Sequence, residues 1–556
     1  METRNSNWWK ESVVYQIYPR SFQDSDGDGQ GDLRGIINRL DYLSTLGIDV
    51  IWLCPVYDSP NDDNGYDIRD YYRIQEEFGT MDDMLELISA AAERGIRLIM
   101  DLVANHTSDE HAWFVESRSA GDSPKRDWYI WKPGHDGQEP TNWESNFGGS
   151  AWEYDPVTGE YYLHCFSRKQ PDLNWENPEV RENIYSMMEW WIDHGIAGFR
   201  IDAITFIKKN QQFPQLESED GHRYVPLAAA SLNQPGILDF LQEMKQQVLA
   251  PRNIMTVAES PGVPIEQIHE FVDEQHGVFN MIFQFDHVDL DNKPSAKGVY
   301  HPWKLTEFKH ALTKWQAETA DGGWMALFME NHDHVRSVSK YGHDGEYREV
   351  SAKMLAVYYF LMRGTPFIYQ GQEIGMTNHY KESISGYRDI ESLSFHSRQR
   401  ELGKPEAEIM DYLALRSRDQ GRTPMQWNSG YAAGFTTGEP WIGLNPDYPS
   451  VNVEHSLAAQ NSILHFYRSL IELRRTHKAL IYGDFQEIYT ESEQVGGYTR
   501  TYQGECWTIL CNFTEQRVAL TEPLAGEIIV SNTDGHEAGG LKPYEAVISR
   551  TAADAE

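Results

Sequence analysis

Four acidic residues stand at or near the ends of candidate strands of this 556-residue chain: Asp101 after Leu98-Ile-Met, Asp202 after Gly198-Phe-Arg-Ile, Glu259 after Met255-Thr-Val-Ala, and Asp333 after Glu330-Asn-His. A lone carboxylate after a strand is ordinarily a helix cap or a solvated loop group. Four on one face of one sheet are harder to dismiss. Two facing carboxyls, one ionised as nucleophile and one kept protonated as donor, are what cleavage of a glycosidic bond requires. Arg200 stands two residues before Asp202, on the same side of a strand, where it would hold that carboxylate ionised; the alternative is a purely structural ion pair.

Bringing these groups together requires their segments to be parallel neighbours. Short β-branched or aromatic runs alternate with amphipathic stretches along the chain, the pattern of strand-helix units. The predicted strands are Val13–Pro19, Val50–Val56, Arg97–Val103, Gly198–Ile204, Ile254–Ser260, Asn280–Phe285, Trp324–Asp333 and Thr365–Gln370. Helices are predicted between them, among others at Asp32–Leu46, Asp82–Arg94, Glu179–Asp193, Gly236–Val248 and Val350–Met362. Eight units predict an α/β fold, a (β/α)8 TIM barrel with its catalytic groups at the C-terminal strand ends.

Two insertions interrupt the alternation. The first, rich in Trp, Tyr, Gly, Pro and Asp, is too long for a simple loop and predicts a small domain over the barrel mouth. The second carries charged helical segments and then Arg422-Thr-Pro-Met-Gln-Trp. Alternating apolar residues in Trp507-Thr-Ile-Leu-Cys-Asn-Phe and Glu527-Ile-Ile-Val-Ser predict a C-terminal antiparallel β-sandwich. The expected organisation is a barrel over 1–104 and 174–480 with a subdomain insertion at about 375–456, an inserted domain over 105–173, and a C-terminal β domain over 481–556.

Composition narrows the classes of partner. Asp and Glu number 85 against 48 Lys and Arg, a formal charge of −37 that repels nucleic acid and anionic lipid. The longest strongly apolar run, Met354–Met362, falls far short of the roughly 20 residues of a spanning helix, so no membrane partner is expected. Cys54, Cys165, Cys506 and Cys511 form no CxxC pair and are read as reduced thiols. Reduced thiols and the absence of a signal-peptide pattern at the start lead to a cytoplasmic expectation. No strand is followed by G-x-G-x-x-G, which disfavours a nucleotide-dependent dehydrogenase, and no organic cofactor is expected.

Asp101-Leu-Val-Ala-Asn105-His106, Gly198-Phe-Arg200-Ile-Asp202-Ala203, Val257-Ala-Glu259 and Glu330-Asn-His332-Asp333 resemble, in order, the four signatures of the α-amylase superfamily, glycoside hydrolase family 13. Gln170-Pro-Asp-Leu-Asn174 resembles a fifth, in the form of the oligo-1,6-glucosidase branch. With Gln16-Ile-Tyr-Pro-Arg-Ser-Phe and the Arg422 motif, the resemblance spans essentially the whole chain. It implies Asp202 as nucleophile, Glu259 as acid/base, and Asp333 as the carboxylate steadying a distorted sugar. It also implies that Asp63, Tyr66, His106, Arg200, His332 and Arg422 surround the terminal glucose, with Asp63 and Arg422 closing the far end of the pocket. The implied activity is retaining, exo-acting release of glucose from short α-1,4- or α-1,6-linked oligosaccharides. Sucrose isomerisation, other transglucosylation and trehalose-6-phosphate hydrolysis are the alternatives. A silent amylase-like scaffold is a remote one.

Specificity cues conflict. Relatives with Ala or Thr after the nucleophile tend toward α-1,4 bonds, as Ala203 suggests, whereas the fifth signature belongs to the α-1,6 branch. His334-Val-Arg336 replaces the Gln-Pro-Arg of many relatives, and Ala258 precedes Glu259 where Gly is more usual. The loop Asp24-Ser-Asp26-Gly-Asp28-Gly-Gln30-Gly-Asp32 alternates acidic side chains with glycines, as hard cations require. Its twelfth position is Gly35, so a full EF-hand is rejected. Resemblance to calcium-holding relatives implies a structural Ca2+, with Gln30 giving its carbonyl; the alternative is a solvated Asp/Gly turn.

Overall fold

The computed structural model describes residues 7–218, 221, 223–292 and 299–552. Residues 1–6 and 553–556, the outer ends of the expected barrel and C-terminal ranges, lie outside the described residues.

Eight parallel strands form the centre: β1 (Val14–Ile17), β2 (Val50–Leu53), β3 (Arg97–Val103), β4 (Gly198–Asp202), β5 (Met255–Glu259), β6 (Met281–Phe283), β7 (Ala326–Leu327) and β8 (Thr365–Tyr369). Their order is β6-β5-β4-β3-β2-β1-β8-β7, and a parallel bridge from Ile282 to Met325 closes the ring between β6 and β7. Alternate residues fill the barrel interior, including Val14, Val50, Trp52, Ile99, Met255, Val257, Met281, Phe283 and Phe367. The same two-residue period continues upward. Ile99 leads to Asp101, and Val257 leads to Glu259, so the inward face that begins as core ends as carboxylates.

Outside the ring, α1 (Leu33–Asn38), α2 (Leu40–Leu46), α3 (Met81–Glu93), α4 (Pro178–Asp193) and α5 (Ile237–Met244) are followed by α6 (Arg348–Phe360). Thr80 and Asp83 form a reciprocal capping box at the start of α3. The helix expected over Asp32–Leu46 is broken at Arg39 (φ −110°, ψ 5°), whose guanidinium leaves the helix line to lie 3.9 Å over the Trp427 ring. The helix expected over Gly236–Val248 passes into a π-helical turn at Lys245–Leu249. The seventh strand is far shorter than Trp324–Asp333, because the chain leaves the ladder after Leu327. Glu330 turns into a buried pair with Arg336, and Asn331 Oδ1 accepts the Asp333 amide.

The first insertion contains a three-stranded antiparallel sheet of Trp131–Lys132, Glu160–Leu163 and Trp152–Asp155. Its core of Trp143, Trp152, Leu163 and Cys165 reaches Ala203 and Phe206 beyond β4. The second contains the helical pair α7 (Ile390–Glu401) and α8 (Glu406–Arg416). After α9 (Ile463–Thr476) and α10 (Ala479–Tyr482) come β9 (Asp484–Ile488), β10 (Val495–Tyr502), β11 (Glu505–Asn512), β12 (Glu527–Ser531) and β13 (Ala546–Ala552). They form one antiparallel sheet ordered β9-β10-β11-β13-β12. A ladder of Val518–Ala519 with Gly540–Leu541 forms the thin second layer of the sandwich, its Leu541 packed on Val495, Leu510 and Val547.

Candidate active site

Register brings the charged groups together. Arg200 on β4 lies directly beside Asp101 on β3, and Asp202 follows two residues later on the same face. The Arg200 guanidinium is fully buried. Nη1 donates to Asp101 Oδ1 at 2.5 Å and to Asp202 Oδ1 at 2.6 Å, while Nη2 donates to Glu259 Oε2 at 2.7 Å. Glu259 Oε2 accepts a second bond, 3.0 Å from the Ala203 amide. Ala203 reaches that position in a left-handed conformation (φ 41°, ψ 35°), which is uncommon outside glycine.

Burial raises the Asp202 carboxyl, Arg200 opposes the rise, and the nearby Glu259 and Asp101 charges add to it. Asp101 is pushed up to about 6, mainly by burial, although Arg200 and the Trp52 indole N–H both favour its ionised form.

Asp333 faces this pair from beyond β7. Burial alone would raise it, but His332, Arg418 and Arg422 hold its carboxyl well below the usual range. Arg422 Nη2 lies 2.8 Å from Asp333 Oδ1, and His332 Nε2 lies 3.2 Å from Oδ2. Burial pushes His332 down to about 3 and His106 down to about 4, so both imidazoles are neutral near pH 7. Tyr66 stacks on His332 with ring centroids 5.4 Å apart, its hydroxyl 2.6 Å from Nε2, while Gln16 Nε2 meets Nδ1 at 2.8 Å.

Asp63, buried and pushed up to about 6 by that burial, accepts from Gln170 Nε2 and from Arg418 Nη2, both at 3.2 Å. Gln170 Nε2 also lies 3.1 Å from His106 Nε2, which ties the fifth signature to the first. Asn174, at the other end of that signature, bonds Asp127 instead. Beside Asp333 opens a cavity of about 310 Å3 whose lining includes Phe147, Asp289, His334, Glu391, Arg398 and Arg416.

Residues 16–483 match the model of the α-amylase catalytic domain. The chain is 52% identical to the oligo-1,6-glucosidase of Halalkalibacterium halodurans over 98% of both chains. The chain belongs to the α-amylase family, glycoside hydrolase family 13. It is a glycosidase by that membership. Solved structures of the family superpose closely. The trehalose-6-phosphate hydrolase of Bacillus licheniformis is 43% identical with a TM-score of 0.92, covering 98% of this chain and 100% of that one. The isomaltulose synthase of Protaminobacter rubrum is 42% identical with a TM-score of 0.94, covering 98% and 99%.

Two site residues were missed by sequence reasoning. Arg418, rather than Arg422, is the arginine that donates to Asp63. Asp389 binds both arginines from the start of α7. The only sequence signal for Arg418 was its position four residues before Arg422, in a segment without strand or helix periodicity.

The acidic loop divides in two. Asp24, Asp26 and Asp28 each present a carboxylate oxygen within 4.8 Å of the others. Asp26 Oδ1 and Asp28 Oδ1 accept the amides of Asp28 and Gln30, and Asp24 accepts those of Asp26, Gly27 and Gly29. Asp32 stands outside that cluster. Its carboxylate caps α1 through the Gly35 amide at 2.6 Å and binds the Ser25 amide at 2.7 Å. All four cysteines are free, and no described helix is long and apolar enough to cross a membrane.

Proposed function

We propose that this chain is a retaining, exo-acting α-glucosidase that releases glucose from the non-reducing ends of short α-1,6- and α-1,4-linked oligosaccharides. The observation that carries the reading is the sharing of one buried guanidinium by Asp202 and Glu259. Anchoring both carboxyls on adjacent nitrogens supports the short spacing of a double displacement rather than the wider, water-spaced pair of an inverting enzyme.

Arg200 and the 203 amide both donate to Glu259 Oε2, which leaves Oε1 to carry the transferable proton. Asp202 Oδ1 accepts from Arg200, which leaves Oδ2 to attack the anomeric carbon. The C1–O bond breaks as Glu259 protonates the departing oxygen, and a covalent glucosyl-Asp202 forms. Ionised Glu259 then takes a proton from water, whose oxygen displaces Asp202, and the product keeps the α configuration. Asp333 accepts sugar hydroxyls, neutral His106 and His332 bond to others, and Tyr66 and Arg200 complete the wall. Asp63 with Arg418 and Arg422 closes the end opposite the anomeric carbon, which limits each event to one glucose.

Identity of about half to relatives named oligo-1,6-glucosidase favours α-1,6 bonds; Ala203, which leans toward α-1,4, is the reason both linkages are kept. A phosphorylated leaving group is disfavoured. Arg398 pairs with Glu144, Arg416 with Asp289 and Asp291, and Arg418 with Asp63, Asp333 and Asp389, so each arginine lining the adjacent cavity already has a counter-ion. The hard oxygens of Asp24, Asp26 and Asp28 suit a structural calcium ion, with the Gln30 carbonyl as a further ligand. Such an ion would cross-brace the loop after β1. The free thiols favour the cytoplasm.

Incubation with maltose, isomaltose, sucrose and trehalose 6-phosphate, with products separated by chromatography, tests the reading. Glucose from maltose or isomaltose is expected, and Asp202→Asn should lower that rate on the order of 10⁴-fold or more. A rearranged disaccharide from sucrose, or cleavage confined to the phosphorylated sugar, would replace the substrate assignment. Full activity in Asp202→Asn would remove the mechanism.

A further inference from the structure

Asp389 is fully buried at the first turn of α7, and its two oxygens do different work. Oδ2 caps the helix, accepting the Ser392 amide at 2.9 Å and the Ser392 hydroxyl at 3.0 Å. Oδ1 accepts from Arg418 Nη2 at 2.5 Å and Nε at 2.9 Å, and from Arg422 Nη1 at 3.3 Å. The Asp389 amide is itself held by buried Asp419 Oδ2, 3.2 Å away.

Bond lengths separate the anchor of Arg418 from its cargo. Its contacts to Asp389 are short, at 2.5 and 2.9 Å, whereas those to Asp63 and Asp333 are 3.2 and 3.3 Å. Long charge-assisted contacts are the ones a sugar hydroxyl can replace or share, and short paired ones persist. Arg418 also lies 5.2 Å over the Phe147 ring of the first insertion, so its guanidinium plane is set from two sides.

We propose that Asp389 is a positioning residue for glucose recognition: by fixing Arg418, and through it Asp63 and Asp333, it makes the pocket read the sugar hydroxyl farthest from the anomeric carbon. This rests on the α-glucosidase reading above. α7 thereby acts as a strut from the second insertion to the closed end of the pocket. Its Arg398, near the opposite end of the helix, is paired with Glu144 of the first insertion.

The test compares p-nitrophenyl α-D-glucoside with its 4-deoxy analogue in wild type, Asp389→Asn and Arg418→Gln. A site that hydrogen-bonds a hydroxyl discriminates against the analogue lacking it, on the order of a hundredfold or more. Asn keeps one oxygen for the helix cap but turns its NH2 toward the buried arginines, so the melting midpoint of Asp389→Asn should fall, and the substrate ratio rather than stability is the readout. The kcat/KM ratio between the two substrates should fall at least about tenfold in both variants, chiefly through the parent glucoside, because one charge-assisted contact is lost. General damage would slow both substrates alike and leave the ratio intact, and an intact ratio in Asp389→Asn overturns the proposal whatever Arg418→Gln shows. A wild type that does not cleave the parent glucoside defeats the α-glucosidase reading first, and the proposal falls with it.

Discussion

At the scale of single residues, the site separates charge states by environment. Asp333 stays ionised beside His332 and two arginines, whereas Asp63 rises to about 6 because burial and the Asp389 and Asp333 charges outweigh the same two arginines. Ionised Asp63 offers two charged oxygens to sugar hydroxyls and pairs with Arg418, whereas protonation makes one oxygen a donor and removes the pair, so this function is present above about pH 6 and lost as pH falls through that value. The kcat/KM for maltose or isomaltose should therefore decline below about pH 6, and Asp63→Asn should shrink that step to the part set by Asp101, which burial also raises to about 6, while lowering activity at every pH. The neutral histidines predict no separate titration near pH 6.5, since burial holds them at about 3 and about 4. A profile in Asp63→Asn that kept the wild-type acid limb would assign that limb to another group. These roles were unevenly legible in the sequence. Asp202 and Glu259 close their strands and Asp101 stands two residues before the end of its own, where a two-residue period fixes their direction. Asp389 and Arg418 occupy an insertion that reads in sequence only as charged helical segments, so nothing local marked Asp389 as facing the pocket.

At the scale of elements, fully buried parallel strands read well, because both faces are apolar and the runs stand out. Their ends read less well. The early exit of β7 is imposed by the Glu330–Arg336 pair and the Asn331 turn, neither of which shows as hydrophobic periodicity. The break at Arg39 follows from a tertiary contact with Trp427, nearly four hundred residues away in sequence. The acidic loop offers a prediction at this scale, because its carboxylates have separable duties. A calcium chelator should lower the melting midpoint of wild type, and Asp26→Ala should lower it without chelator and become insensitive to it. Asp32→Ala removes a helix cap, a loss of about 1 kcal/mol, and should remain chelator-sensitive. Equal chelator response in wild type and Asp26→Ala would return the loop to a solvated turn.

At the scale of the whole molecule, the C-terminal sheet is joined to the barrel by a buried arginine that faces carbonyls rather than carboxylates. Arg500 on β10 donates to the carbonyls of Leu361, Leu480, Ile481 and Gly483, just past the end of α6 and along α10. Within the barrel, Arg474 on α9 meets the carbonyls of Lys10, Glu11 and Gly364 in the same way. Helix ends leave carbonyls without intrahelical partners, and burying them under a second domain is tolerable only when a donor reaches them. A guanidinium has five donors in one plane and meets several at once. The joint is reinforced by Tyr498, whose hydroxyl donates to the Tyr358 carbonyl at 2.8 Å. The two parts should therefore unfold in a single transition in wild type. Arg500→Met fills much of the volume but leaves the carbonyls orphaned, each at about 1–3 kcal/mol, so the loss should reach about 3 kcal/mol or more. Calorimetry distinguishes the outcomes: a lowered or split transition supports the joint, and an unchanged single peak shows that packing of the sheet on α6 suffices without it.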